Sequence, residues 1–176
     1  MATDLYSHPL VQHHLSVLRN SKSAASEFRR SCRGITEVII VEAAKLLKLK
    51  TFKVRTPLET TDGACLIPNI VFVPVLRAGV GMLDPALNIL PNASVGFIGM
   101  VRDEVTAQAS CYYAKMPMLD GQSQVFVLDP MLATGGSAAN CVEQIKAHGA
   151  ENITMICIIA APVSYTHLRA HETDYY

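Results

Sequence analysis

Apolar residues along this chain follow two different periods. Short, mainly apolar runs occupy residues 70–76, 94–100, 125–128 and 152–159, the lengths expected of strands that are covered on both faces. Elsewhere, apolar residues recur every three to four positions, as in amphipathic helices. Because such strands and helices alternate along the chain, we predict an α/β fold with a doubly wound, mainly parallel sheet and helices on both faces.

The sequence pattern in the N-terminal third of the chain predicts two helices and then an exposed hairpin. The first helix begins near Pro9, with Ser7 as its cap. The second helix carries an apolar stripe at Ala25, Phe28, Cys32, Ile35, Ile39, Ala43 and Leu46. Phe52 and Val54 then alternate with charged residues, as on a half-exposed edge strand, and Asp62–Gly63 predicts a turn.

Composition narrows the class of protein. The chain has 176 residues, enough for one domain with a sizeable core, and half of them are hydrophobic, yet no apolar run is long enough to span a membrane. Fifteen basic residues balance fifteen acidic ones, so no basic stripe indicates nucleic-acid binding. Five scattered cysteines without a Cys-x-x-Cys motif, and an N-terminus unlike a signal peptide, predict reduced thiols and a cytoplasmic location.

The segment from Val125 to Ser137 carries the strongest chemical signal. An apolar strand runs into Asp129, then into a loop of small residues and a helical pattern that begins at Ala138. Glycines in such a loop let backbone N–H groups approach a ligand, and the first helical turn offers unpaired donors to an anion. Asp129 can accept hydrogen bonds from sugar hydroxyls, so the segment predicts a sugar-phosphate site. A tight turn with a capping aspartate is the alternative interpretation.

Two arginines follow other predicted strands. Arg77 opens the string Arg-Ala-Gly-Val-Gly after the strand at 70–76, and a cation followed by two glycines is suited to a diphosphate. Arg102 follows the strand at 94–100 in the same way. A surface arginine after a turn remains the alternative. His167 and His171 are four residues apart but have no third ligand, so we predict no resident metal site.

Together these motifs resemble the phosphoribosyl-diphosphate (PRPP) signature of type I phosphoribosyltransferases, and Asp129–Pro130 resembles the uracil phosphoribosyltransferase branch. The resemblance implies pyrimidine salvage: uracil and PRPP give UMP and diphosphate. It implies catalytic roles for Arg77, Arg102 and Asp129. It implies PRPP binding by Arg77, Arg102, Asp129, Pro130, Met131, Leu132, Ala133, Thr134, Gly135, Gly136 and Ser137.

The resemblance also carries expectations beyond these residues. Mg²⁺ should arrive bound to PRPP, and GTP is an effector of some relatives. The hairpin resembles the β-arm that helps to form the homodimer in this family, so we expect a homodimer or larger homo-oligomer. Residues 103–110 resemble the mobile hood that closes over the active site and excludes water.

The resemblance extends from about His8 to Pro162 and then stops. Family members continue to a Gly-rich segment that binds uracil, which residues 164–176 lack. We therefore expect residues 1–163 to form the phosphoribosyltransferase core, incomplete at its C-terminus, and residues 164–176 to be a non-native or disordered tail. Two alternatives stay open: a non-catalytic PRPP-binding fragment, and a PRPP-binding regulator of nucleotide genes.

Overall fold

The computed structural model describes residues 3–67, 69–102, 109–133 and 135–161, with Arg102 and Ala109 described by their backbone alone. Two helices, α1 (Pro9–Arg19) and α2 (Ala25–Ala43), precede a hairpin of β1 (Leu49–Arg55) and β2 (Thr60–Leu66). The later elements are β3 (Ile70–Leu76), α3 (Val80–Ile89), β4 (Ser94–Val95), β5 (Phe97–Arg102), β6 (Ala109–Lys115), β7 (Gln124–Leu128), β8 (Met131–Leu132), α4 (Gly136–Ala147), β9 (Asn152–Ile156) and β10 (Ile159–Ala160).

The central sheet has the strand order β6-β5-β3-β7-β9. The short strand β4 also pairs with β3, on the same side of β3 as β5. Strands β5, β3, β7 and β9 are parallel, while β6 returns antiparallel to β5. This arrangement confirms the predicted α/β fold with a mainly parallel sheet. Parallel strands end at a common edge, so the loops that follow β3, β5 and β7 meet at the carboxyl edge of the sheet.

The two central strands are buried on both faces, as their continuous apolar sequences predict. On one face, Val73 and Val127 pack in a cluster with Ile145 of α4. On the other, Phe72 and Phe126 lie with their ring centroids 5.9 Å apart, in a cluster that includes residues of α2 and α3. Each such side chain stabilises the fold by about 1.5–3 kcal/mol, so the sheet is a firm base for its loops.

The helices agree with the predictions except in two details. The N-cap of α1 is His8 rather than Ser7, because His8 Nδ1 accepts a 3.2 Å hydrogen bond from the Leu10 N–H. The predicted apolar stripe of α2 is only partly buried, and Phe28 is 46% exposed. The buried face of α2 instead comprises Ser31, Ile35, Thr36 and Ile40. The reason is that this face is covered by two neighbours: Ile35 packs against α1, and Ile40 packs in the cluster with β3 and α3.

The hairpin turns at a different place from the predicted one. Asp62–Gly63 lies inside β2, where Asp62 pairs across the strands with Lys53 at 2.8 Å. The chain reverses at residues 56–59, where the Thr56 hydroxyl accepts hydrogen bonds from the Leu58 and Glu59 N–H groups at 3.3 and 3.1 Å. Asp-Gly misled the prediction because this glycine serves cross-strand packing, leaving room for the Val54 side chain.

Two predicted strands are interrupted. The run at 94–100 forms β4 and β5, separated at Gly96, and the run at 152–159 divides into β9 and β10. The predicted hood lies mostly outside the described residues, as does the tail at 164–176. The chain that returns from the predicted hood forms β6. Among the described residues, no helix has both the length and the apolar character needed to cross a membrane.

Candidate active site

The predicted site residues follow three adjacent strands. Pro74 of β3 and Leu128 of β7 are register partners, so Arg77 and Asp129 leave neighbouring strand ends. Arg102 is the last residue of β5, on the other side of β3, and its side chain is outside the described part of the chain. The fold therefore brings the predicted catalytic positions to the carboxyl edge of the sheet, where open α/β sheets bind ligands.

The loop after β3 is a compact turn. The peptide bond between Leu76 and Arg77 is cis. The Gly79 N–H donates to the Val75 carbonyl at 2.8 Å, which folds the turn back onto the end of its own strand before α3 begins. Arg77 is exposed on this turn, so its guanidinium is accessible to an anion.

The loop after β7 is held by backbone bonds to the chain after β9. The Asp129 N–H donates to the Ile156 carbonyl at 3.1 Å. The Pro130 carbonyl accepts from the Ile158 and Ile159 N–H groups at 3.2 and 3.1 Å, and β8 pairs in parallel with β10. Sequence reasoning missed this support, because the run at 152–159 is mainly apolar up to Ile159 and carries no signal of the break that frees β10 to pair here.

Within this loop, the predicted PRPP-binding residues differ in exposure. Met131 and Ala133 are exposed, whereas Asp129 and Pro130 are half-buried. Leu132 is only 6% exposed, and its carbonyl accepts a 2.9 Å hydrogen bond from the Ala161 N–H. The Leu132 side chain therefore anchors the loop in the protein. Thr134 lies outside the described residues.

The N-terminus of α4 follows directly. Gly135 is its N-cap with φ +83°, a left-handed conformation that favours glycine, and its carbonyl accepts from the Ala139 N–H at 2.8 Å. The N–H groups of Gly136 and Ser137 belong to the first turn, whose donors point out of the helix at the positive end of its dipole. The predicted glycines thus open a helix of twelve residues, an arrangement that attracts phosphate.

The Asp129 carboxyl group lies in a poorly solvated position. Burial raises the pKa of its carboxyl group, and the hydrogen bond from the Met131 N–H, 3.3 Å long, offsets this in part. Donors supplied by a ligand would stabilise the carboxylate further, because a half-buried charge gains more from each hydrogen bond than an exposed one. The ribose of a sugar phosphate offers such donors in its hydroxyls.

Nearby thiols are inert. Burial raises the pKa of Cys141 to about 12, with further contributions from the charges of Asp129 and Cys111. Burial and the charge of Asp129 likewise raise the pKa of Cys157. Both thiols stay protonated at neutral pH, so neither is an activated nucleophile.

Two other features of the described residues bear on the site. No group of three or more His, Cys, Asp or Glu side chains in these residues could hold a metal ion. A groove of about 430 Å³ opens at the opposite, amino-terminal edge of the sheet, beside Lys48 and Glu151. Its volume does not make this groove the candidate site. The helix N-terminus, the exposed arginine and the under-solvated aspartate favour the carboxyl edge, because these groups match a specific ligand chemistry.

Comparison with known proteins identifies close relatives. The sequence profile of the uracil phosphoribosyltransferase family matches residues 5–175. The chain is 44% identical over 163 residues to a uracil phosphoribosyltransferase of Thermosipho africanus, covering 92% of this chain and 78% of that protein. It is also 44% identical over 175 residues to the same enzyme of Thermosipho melanesiensis, covering 99% of this chain and 84% of that protein.

Two solved structures are also similar to this chain. The AQ2163 protein from Aquifex aeolicus has 35% sequence identity and a TM-score of 0.89, over 98% of this chain and 83% of that one. A purine phosphoribosyltransferase from Pyrococcus horikoshii has 14% identity and a TM-score of 0.58, over 76% of each chain. The second likeness concerns the fold alone.

Proposed function

Because the chain belongs to the uracil phosphoribosyltransferase family, we propose that it transfers the phosphoribosyl group of PRPP to uracil. The bond between ribose C1 and the diphosphate breaks, and its electron pair leaves with the diphosphate. A bond between C1 and N1 of uracil forms, N1 loses its proton to water, and the products are UMP and diphosphate. The observation that carries this proposal for the site is the common position of Arg77, Asp129 and the α4 N-terminus at the carboxyl edge of the sheet.

Each group matches one part of PRPP. The N–H groups of the loop and first helical turn, from Ala133 through Thr134, Gly135 and Gly136 to Ser137, bind the 5′-phosphate. Asp129 accepts hydrogen bonds from the ribose hydroxyls, which relieves the poor solvation that raises its pKa. The exposed Arg77, and Arg102 from the next strand, bind the diphosphate.

The chemistry follows from this placement. As the bond to the diphosphate breaks, negative charge grows on the leaving group, and a preorganised arginine stabilises that charge. Asp129 and the helix N-terminus hold the sugar so that C1 faces the incoming base, which supplies the advantage of proximity. Cys141 and Cys157 take no covalent part, because burial keeps them as thiols.

Mg²⁺ enters in this proposal as part of the substrate. The ion binds diphosphate oxygens readily, keeps several waters and needs few protein carboxylates. When bound, the ion neutralises charge on the diphosphate, and Arg77 adds to this from the protein side.

The hairpin supports a further proposal, that the chain forms a homodimer. Strands β1 and β2 pair only with each other in the described sheets, and Leu49, Phe52 and Leu58 are 62%, 47% and 96% exposed. Apolar surface of this kind is suited to a second copy. Sedimentation of the wild-type chain and of Phe52→Glu tests this: we expect a dimer that the substitution weakens.

GTP activation, a cytoplasmic location and a boundary at residue 163 are further proposals from the resemblance. Sequencing the source locus across codon 163 tests the boundary, because a native frame that continues unchanged into residues 164–176 would contradict a foreign tail.

The activity is tested in two steps on the 176-residue chain. Calorimetric titration with PRPP and MgCl₂ should show saturable binding, and addition of uracil should then produce UMP. Binding without turnover would favour the alternative of a non-catalytic PRPP-binding fragment. Failure of PRPP to bind at all would reject the proposed site.

A further inference from the structure

The Arg77 turn and the Asp129 loop touch each other through Gly79. Gly79 is buried, and a Cβ built on it would overlap the backbone oxygen of Leu128, the residue that precedes Asp129. The same Cβ would lie 2.6 Å from the nitrogen and 2.8 Å from the oxygen of Val75. All three neighbours are backbone atoms, so no side chain can rotate away to make room.

The need for glycine here is one of space, because its conformation is ordinary. Gly79 has φ −61° and ψ −21°, which any L-residue adopts. Gly81, two residues on, has nothing within 4 Å of its Cβ position, so the protein imposes no such limit there. The two glycines of the Arg-Ala-Gly-Val-Gly string therefore face different demands.

We propose that Gly79 is a positioning residue, which sets the distance between the arginine that binds diphosphate and the aspartate that binds ribose. The proposal rests on the proposed function and adds a residue that does not itself touch substrate. Its role follows from the contact of Gly79 with Leu128, which joins the backbones of the two loops.

The direction of any displacement follows from the sheet. Leu128 is register-paired with Pro74 on one side and Ile156 on the other, so its carbonyl cannot yield. A side chain at position 79 must therefore push the Arg77 turn away from β7. Restoring ordinary contact distances requires a shift of about 1 Å. A displacement of that size at a reacting centre can cost on the order of a hundredfold in rate.

A matched control exists in α2. A Cβ on Gly34 would overlap the His14 imidazole, which is a similar degree of crowding, but the obstacle is a side chain that can rotate. Gly34 belongs to the contact between α1 and α2, which is separate from the Arg77 and Asp129 loops. Gly34→Ala therefore reports the effect of crowding elsewhere in the fold.

Calorimetric titration of Gly79→Ala, Gly34→Ala and wild type with PRPP and MgCl₂ tests the proposal. We expect Gly79→Ala to raise the Kd for PRPP by about tenfold to a hundredfold, and Gly34→Ala to leave it within about twofold. Partial unfolding alone would lower the number of binding sites and leave the Kd of the folded fraction unchanged. An unchanged Kd in folded Gly79→Ala would overturn the proposal.

A double-mutant cycle sharpens the test. If Gly79 acts by placing Arg77, Gly79→Ala should change the Kd by no more than about twofold in an Arg77→Ala background, because the displaced group is already absent. Retention of the full effect without Arg77 would overturn the proposal. NMR titration to millimolar PRPP measures these weak affinities.

A third measurement covers the case in which Gly79→Ala does not fold. In wild type, titration with diphosphate and Mg²⁺ should shift the amide resonance of Asp129 together with that of Arg77, because Gly79 joins the loops. Shifts confined to the Arg77 turn would overturn the proposal. Wild type that binds neither PRPP nor diphosphate would instead reject the proposed function, so the two failures are distinguishable.

Discussion

Two aspartates flank β7, and the protein treats them in opposite ways. At the amino end, Asp120 is exposed, and its carboxylate accepts hydrogen bonds from the Ser123 hydroxyl at 2.8 Å, the Gln122 N–H at 3.0 Å and Asn69 Nδ2 at 3.3 Å. The Ser123 hydroxyl, with backbone N–H donors, lowers the pKa of this carboxyl group despite some desolvation. Its charge is satisfied by the turn that it helps to build.

At the carboxyl end, Asp129 is half-buried, and the Met131 N–H is its donor among the described residues. Burial raises the pKa of this carboxyl group. A charge that the fold buries without enough donors costs stability, and such charges concentrate where a ligand supplies what is missing. The difference supports the proposal that Asp129 serves binding, whereas Asp120 stabilises the turn that precedes the same strand.

The largest expected effect comes from the cation on the loop after β3, the strand next to β7. Arg77→Ala should lower turnover by about a hundredfold or more, because one preorganised group that stabilises the leaving diphosphate is removed. Lys48→Ala, in the groove at the amino edge, is the control and should leave turnover within about twofold. Steady-state kinetics checks both variants. A rate for Arg77→Ala within twofold of wild type would reject its role.

Exchanging each aspartate for its amide tests the comparison directly. Asp129→Asn should lower kcat/KM for PRPP by about tenfold to a hundredfold, because hydrogen bonds to a charged acceptor are the stronger ones. Asp120→Asn should leave kcat/KM within about twofold. Equal losses in the two variants would show that the two ends of β7 do not differ in function.

The glycines at the two ends of α4 offer a second matched pair. Gly135 has φ +83° and Gly149 has φ +99°, so alanine at either position should cost about 1–2 kcal/mol of unfolding free energy. Only Gly135→Ala should also weaken PRPP binding, because it alters the N-terminus of the helix. Urea unfolding and calorimetry measure the two quantities. Weaker PRPP binding in Gly149→Ala would contradict the assignment of the phosphate to the N-terminus.

The smallest expected effect is in the pH dependence of stability. Because the pKa of Asp129 is raised in the folded protein, the contribution of this carboxyl group to stability is present at acid pH and is lost as pH rises through that pKa. The Tm of Asp129→Asn should therefore rise relative to that of wild type between about pH 3 and 7. The lowered pKa of Asp120 has the opposite effect, because the contribution of this carboxyl group to stability is lost as pH falls. The Tm of Asp120→Asn should therefore fall below that of wild type towards neutral pH.

Calorimetric scans at several pH values measure both differences. We expect about 2–4 °C for Asp129→Asn and a smaller change for Asp120→Asn, because water screens the exposed carboxyl group. As pH falls through the ordinary range of aspartate, each amide variant should approach wild type, Asp129→Asn before Asp120→Asn, because the pKa of Asp129 is raised and that of Asp120 is lowered. Tm differences from wild type that have the same sign in the two variants would contradict the contrast between Asp120 and Asp129.

The sequence was most informative where burial is complete. Strands β3 and β7 were predicted within one residue, because strands covered on both faces need continuous apolar runs. The start of α4 was also close, since a Gly-Gly pair after a strand leaves few other conformations. Arg77 and Asp129 could be singled out because each directly follows such a strand.

Prediction was weaker where pairing is settled by distant parts of the chain. Asp62–Gly63 has the sequence of a turn, yet cross-strand pairing along β1 places it inside a strand. The run at 152–159 is mainly apolar and has no Gly or Pro, yet hydrogen bonds from Ile158 and Ile159 to the Pro130 carbonyl divide it. Local sequence cannot encode these outcomes, because the partner that decides each one lies elsewhere.

By itself, the sequence determined the α/β class, the central strands and the identity of the charged groups at their ends, because apolar periodicity and loop chemistry are local properties. The tertiary structure alone decided that Gly79 rests on the Leu128 carbonyl and that the chain after β9 braces the Asp129 loop. These contacts depend on close packing between residues far apart in sequence, and such packing exists only once the sheet has formed.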